Sequence, residues 1–195
     1  MTMPNSFSLR QYIVSDLYRC SARIDFKSFA RYFFFNAGFK YLFWLRCSNR
    51  FYRSPFLKLT LFPISWFFHR RYMYKYGLGI PFMIDLGLGL KINHFSGIII
   101  NAKCKIGNNV TISHGVTLGH AERGKLEGSP IVGNEVFLGP GSKIFGNIRI
   151  GNNVSIGANA VVNFDVPDGA VVVGCPAKIV SMNGSTGYVK NKFYA

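Results

Sequence analysis

IINAKCKIGNNVTISHGVTLG (residues 99–119) and KIFGNIRIGNNVSIGANAVV (residues 143–162) decide the fold. Both contain IGNNV, at 106–110 and 150–154, and in both an aliphatic residue recurs at every sixth position. A helix repeats every ~3.6 residues and a strand every second one. A period of six belongs to neither; it marks a parallel β-helix of hexapeptide repeats. The rungs are Ile100, Ile106, Ile112 and Leu118, then Val132, Leu138, Ile144, Ile150, Ile156 and Val162. A second apolar position falls four residues after most of them, at Cys104, Val110, Val116, Val136, Ile148, Val154 and Ala160. Three hexads make a triangular coil of about 18 residues, and successive coils stack as parallel ladders. Gly follows many rungs (Gly107, Gly119, Gly133, Gly139, Gly151, Gly157), which suggests corners at positive φ, a conformation Asn also tolerates.

The two IGNNV copies begin 44 residues apart, which is seven hexads and two residues. The register therefore breaks between Leu118 and Val132. The break holds GHAERGKLEGSPI, and its Gly, charge and Pro read as a loop, 119–131, pushed out of the coil. Insertions in solenoids map to loops that often carry function.

Charge and aromatic content divide the chain near Gly77–Ile80. Residues 1–80 hold 13 Lys and Arg against two acids, and 23 of the 31 aromatic residues. Residues 81–195 hold 10 Lys and Arg against six acids. The expected organisation is a helical, basic and aromatic region over 1–76, the β-helix over 77–180, and a polar, mobile tail over 181–195. The apolar runs Tyr32 to Leu45 and Phe56 to Phe68 fall short of the roughly 18 residues a spanning helix needs. Rings mixed with cations suit the headgroup layer of an anionic bilayer, and packing on the β-helix or on partner subunits is the alternative. No motif that reads a nucleic-acid groove is visible, so nucleic acid is not expected as a partner. The four cysteines show no CxxC spacing and follow no secretory signal, which suggests a cytoplasmic compartment. The P-loop-like GHAERGK lacks the following Ser or Thr, and the Asn-x-Ser/Thr sequons have no secretory context; neither carries weight.

Extended backward from Ile100, the ladder meets His94 and then Leu88. A histidine thus stands where an aliphatic rung is expected, and such violations concentrate at functional sites. His114 would lie on the next layer near the same corner, beside the loop that begins at Gly119. Two imidazoles there suit deprotonation of a substrate hydroxyl.

INHFSGIIINAKCKIGNNVTISHGVTLG (92–119), the extruded loop and GNIRIGNNVSIGANAVVNFDVPDGAVVVGCPAKIV (146–180) together resemble the serine acetyltransferase family of hexapeptide acyltransferases. The aromatic, basic front end is similar to the branch of O-acetyltransferases of bacterial capsule and exopolysaccharide. The resemblance implies a mainly β chain: a left-handed parallel β-helix with an α-helical N-terminal extension, assembled as a homotrimer. It implies active sites between neighbouring coils, with acetyl-CoA as donor and no metal. By position, His94 matches the family's catalytic base. The family's orienting acid falls on Gly79 here, which leaves Asp85 and His114 as candidates. The acceptor-binding positions fall on Asn93, Gly128 and Ser129, where the family carries an acid, an Arg and a His. For acetyl-CoA the resemblance points to Gly119, Gly139, Pro140, Ala158 and Lys178.

A free amino acid needs charged partners for its ammonium and carboxylate, and those positions lack them. A neutral hydroxyl on a saccharide, polymeric or lipid-linked, is therefore the expected acceptor, with the enzyme at the inner face of the cell membrane. Serine O-acetyltransferase is the first alternative. A zinc carbonic anhydrase-like protein using His94, His114 and His120 is another. A membrane-recruited scaffold without activity is the last.

Overall fold

The computed structural model describes residues 7–194. Five helices precede the repeats: α1 (Leu9–Ser21), α2 (Phe26–Phe35), α3 (Ala37–Tyr52), α4 (Pro55–Thr60) and α5 (Phe62–Tyr76). Local chemistry sets their ends. Ser8 and Gln11 form a reciprocal capping box on α1, and Asp25 accepts the Ser28 amide to start α2. Asn36 ends α2 and accepts the Phe39 amide to start α3, so the first apolar run is two helices. No described helix is long and apolar enough to cross a membrane.

From Leu78 the chain winds through strands of two to four residues on three faces. The first face stacks Ile100 on Leu118, Ile144 and Val162. The second stacks Leu86 on Ile106, Val132 and Ile150. The third stacks Ile92 on Ile112, Leu138, Ile156 and Val172. All of these rungs are buried, as are the seven apolar positions four residues beyond a rung. Each buried Val, Leu or Ile contributes about 1.5–3 kcal/mol, so the core is one continuous column. This is a left-handed parallel β-helix with a helical front. Between Ile106 and Val132 one coil carries the extruded loop, whose arms pair at Ala121 and Gly128.

Three expectations are corrected. First, His94 is not a rung. Ile112 stacks on Ile92, 20 residues before it, while Leu118 stacks on Ile100, 18 before it. The first coil therefore holds two extra residues at the corner 93–97, and His94 points outward there, exposed. Second, the glycines after the rungs are not at positive φ. That conformation falls two residues further on, at Asn109, Glu135, Asn153 and Asn159. Gly107 and Gly133 are required by close approach: a Cβ on either would lie 2.6 or 2.7 Å from a carbonyl oxygen of the next coil. Third, the described part of the tail is docked. Asn109 exchanges two hydrogen bonds with the Phe193 backbone, Lys192 pairs with Glu135, and Ser185 Oγ donates to the Glu135 carbonyl at 2.6 Å.

The first coil is an open edge with unpaired backbone groups, and a solenoid needs a cap there. Helices α1 and α3 supply it with buried polar side chains. Asp16 accepts from Arg46 at 3.0 and 3.2 Å and from the Leu90 amide at 2.8 Å. Arg46 also donates to the carbonyls of Leu86 and Gly87, and Ser15 accepts the Gly89 amide. Arg19, with no exposed surface, donates to Gly89 O and to Thr111 Oγ1. Gly38 lets α3 approach: a Cβ there would stand 2.8 Å from Ile92 O.

Below the cap, Tyr41 donates to Ile80 O at 2.9 Å and meets His69 Nε2 at 3.1 Å. Burial pushes the His69 pKa down from 6.5 to about 4. A depressed histidine contributes stability that is complete above its unfolded pKa and is lost as pH falls toward its folded one. Between pH 6.5 and pH 4 the protein is expected to lose about 3 kcal/mol through this group. Urea midpoints should show that slope in the wild type and not in His69→Leu; equal slopes in both would exclude His69 as the titrating group.

Candidate active site

The corner between the third and first faces is where sequence-predicted residues converge. The third-face register places His94, His114, Pro140 and Ala158 each two residues beyond a stacked rung. They form one file, with Asn93 and Gly139 in the adjoining one. At a coil spacing of about 4.8 Å the file spans roughly 14 Å. Backbone bonds hold it in register: Gly115 N to Ser96 O at 2.9 Å, Gly141 N to His114 O at 2.9 Å, and Asn159 N to Pro140 O at 2.8 Å.

The two imidazoles are exposed and meet edge to face, with ring centroids 5.9 Å apart and planes at 74°. The insertion brings this about. Two extra residues before Ile100 lift His94 out of the core, and Ser96, at φ 94, with Gly97, at φ 68, return the chain to the first face. Lys143 closes one flank, its ammonium donating to Gly115 O at 2.7 Å and Thr117 Oγ1 at 3.0 Å. Side chains that accept and release protons thus stand at the solvent edge of a rigid scaffold, an arrangement suited to general-base catalysis.

The remaining predicted residues lie elsewhere on the chain. Asp85 is on the second face, in register with Lys105, and not at the corner of His94. Gly119 and Ser129 lie at the opposite end of the first face, at the mouth of the extruded loop. Lys178 is exposed on the antiparallel strand that closes the third face, opposite Val173. That strand lies two steps beyond the end of the histidine file, with Val171–Val173 between.

The loop mouth holds a pairing that sequence reasoning missed. His120 Nδ1 lies 3.0 Å from Ser129 Oγ, which in turn lies 3.4 Å from Asn101 Oδ1. His120 thus supplies an imidazole beside Ser129. The antiparallel closure of the loop brings the two together, and only a guess at its hairpin pairing could have found it. His120 is thereby separated from His94 and His114, so the three histidines do not converge within one chain. Neighbouring Cys104 is buried, which pushes its thiol up to about 11 against the pull of Asn101 and Ser129. It is a protonated core thiol at neutral pH, not a nucleophile.

Residues 129–163 match the family described as bacterial transferase hexapeptide (six repeats). The serine acetyltransferase of Staphylococcus epidermidis is 48% identical over 99 residues, which is 51% of this chain and 46% of that protein. The chain spans about half the length of the curated relatives it matches. The crystal structure of Neisseria gonorrhoeae serine acetyltransferase in complex with serine superposes with a TM-score of 0.72 at 32% identity, over 89% of this chain and 69% of that one. The serine acetyltransferase of Brucella abortus in complex with coenzyme A gives a TM-score of 0.71 at 28% identity, over 90% and 67%. Repeat motif, fold and relatives agree: the chain belongs to the hexapeptide-repeat acyltransferase family.

Proposed function

We propose that the protein is an acetyl-CoA-dependent O-acetyltransferase with His94 as its general base. The observation that carries this reading is the corner file of His94, His114, Pro140 and Ala158. His94 takes the proton of the acceptor hydroxyl as that oxygen attacks the thioester carbonyl; the C–S bond breaks and coenzyme A leaves as the thiol. His114, in edge contact with His94, orients its ring. Acetyl-CoA lies along the file, its thioester at the histidines and its phosphates toward Lys178, which meets them as a point charge. The small residues Gly139 and Ala158 leave room for the pantetheine arm. Outward apolar side chains on the coil, Ile99, Ile131 and Phe145, support assembly as a homotrimer.

Two acceptors compete. The named relatives act on serine, and that favours L-serine. The side chains favour a neutral hydroxyl, as on a saccharide or its lipid-linked precursor. Asn93 beside the base carries no charge. Gly128 has φ 134, and a Cβ there would stand 2.8 Å from Asn147 Cβ, so this backbone has no room for an Arg at that position. Ser129 and His120 offer hydrogen bonds in place of a cation pair. We take the saccharide hydroxyl as the acceptor. Coenzyme A release by the purified chain, with L-serine in one series and nucleotide sugars or lipid-linked oligosaccharides in the other, tests this. Sugar-dependent release well above that with serine is expected; serine turnover equal to or above that with every sugar overturns the choice of acceptor.

A further inference from the structure

The outer helices carry none of the residues placed at the candidate active site, yet they carry a broad exposed apolar surface. Helices α1 and α3 are committed to the first coil. Helices α2 and α5 lie outside α3, where Phe33 and Phe68 both pack on Trp44, at 6.4 and 4.4 Å between ring centroids. From this layer Phe26, Phe34 and Phe35 of α2, Phe56 and Leu59 of α4, and Phe67 of α5 project into solvent, each more than half exposed. Apolar surface on this scale marks an interaction site.

The charge around these rings names the partner. Arg23, Lys27, Arg31, Lys58, Arg70 and Arg71 are exposed on the same helices and their connections. Residues 17–76 contain a single acid, Asp25, and it is engaged by the backbone amide and hydroxyl of Ser28. Two shallow grooves repeat one chemistry, guanidinium beside aromatic ring: Arg31 with Tyr32 and Phe35, and Arg70 and Arg71 with Trp66 and Tyr74. The Arg70 guanidinium lies 5.0 Å from the Trp66 ring centre and 5.3 Å from that of Tyr74. Amphipathic rings sit at headgroup depth, and cations among them meet lipid phosphates.

We propose that α2, α4 and α5 form a docking surface for an anionic lipid bilayer, on which the protein lies without crossing it. The apolar rings enter the headgroup boundary and the cations meet the phosphates. The surface is also tied to the corner file. Tyr72 stacks on Tyr76 at 5.4 Å, and Tyr76 packs on Phe95 at 5.2 Å, next in sequence to His94. Docking stands independently of the acceptor; if the acceptor is lipid-linked, docking brings it to the corner with His94.

Flotation of the full chain with vesicles of phosphatidylcholine, alone or mixed with phosphatidylglycerol, tests the proposal. Binding is expected to the mixed vesicles and to weaken as salt rises. Phe56→Ser with Leu59→Ser should lower the partition roughly tenfold or more, because two apolar side chains no longer leave water. Arg70→Glu with Arg71→Glu should lower it on mixed vesicles and make no difference on neutral ones. Unchanged melting and oligomeric mass certify that both variants fold. Failure to bind mixed vesicles, or wild-type partition by both variants, overturns the proposal. So does a larger wild-type assembly that these substitutions split, since the surface would then be covered by a second copy. Acetyl transfer to a water-soluble acceptor should be unchanged in both variants, which keeps a failed docking result separate from a failed acceptor assignment.

Discussion

His94→Ala is expected to lower acetyl transfer by roughly 10²- to 10⁴-fold in kcat, the range a positioned general base supplies. The same substitution should leave the fold intact, for a structural reason. His94 is exposed on the two-residue insertion, and among the described residues its one ring contact is with His114. No rung is lost, because the core position of that coil belongs to Ile92, which stacks on Ile112. Thermal unfolding and oligomeric mass should therefore match the wild type while coenzyme A release disappears. His114→Ala separates the two roles. If His114 orients its neighbour, its loss lowers kcat with little effect on the KM for acetyl-CoA and leaves residual activity above that of His94→Ala. Activity of His94→Ala within a few-fold of wild type would remove His94 as the base.

The path to His94 shows which parts of this molecule a sequence exposes. From Ile100 to Val162 the period of six and the structure agree rung for rung, because there the rungs and their partners four residues on are apolar and buried while most outward positions are polar or glycine. Upstream the rule fails. Leu86, Leu88, Leu90 and Ile92 are all buried, so rungs at 88 and 94 and rungs at 86 and 92 fit the sequence equally well. The cause is the helical cap: α1 and α3 bury corner positions that would face water in an open coil. Sequence reading thus reached His94 as an irregularity, though the irregularity is an insertion and not a replaced rung. The meeting of His120 with Ser129 stayed hidden because it depends on how the loop closes on itself. Glycine was misread for a related reason. Its scarcity of atoms, not its φ, is what the adjacent coil demands at Gly107 and Gly133.

The cap itself carries the second large effect. Asp16→Ala is expected to cost about 3–5 kcal/mol, the range for breaking a buried ion pair from one side. Asp16 and Arg46 are almost fully buried, at 1% and 5% exposure. Desolvation raises the Asp16 pKa against the pull of the Arg46 guanidinium and the Leu90 amide. The pair is therefore held by geometry, and removing the carboxylate strands a guanidinium that cannot discharge. It also orphans the Leu90 amide, which Asp16 accepts at 2.8 Å. Asp16→Asn should lose less, since an amide oxygen still accepts one of these donors. An apolar pair, Asp16→Leu with Arg46→Met, should not restore full stability, because the Leu86 and Gly87 carbonyls then lose their donor. In a solenoid each coil leans on its neighbours, so the damage should stay local. Amide exchange in Asp16→Ala should rise across residues 86–92 and the contacting turns of α1 and α3, while residues 150–162 keep their protection. Uniform loss of protection along the whole coil would show that the cap is not a separable unit. A urea midpoint within about 1 kcal/mol of wild type would show that the pair contributes little to holding the helices on the first coil.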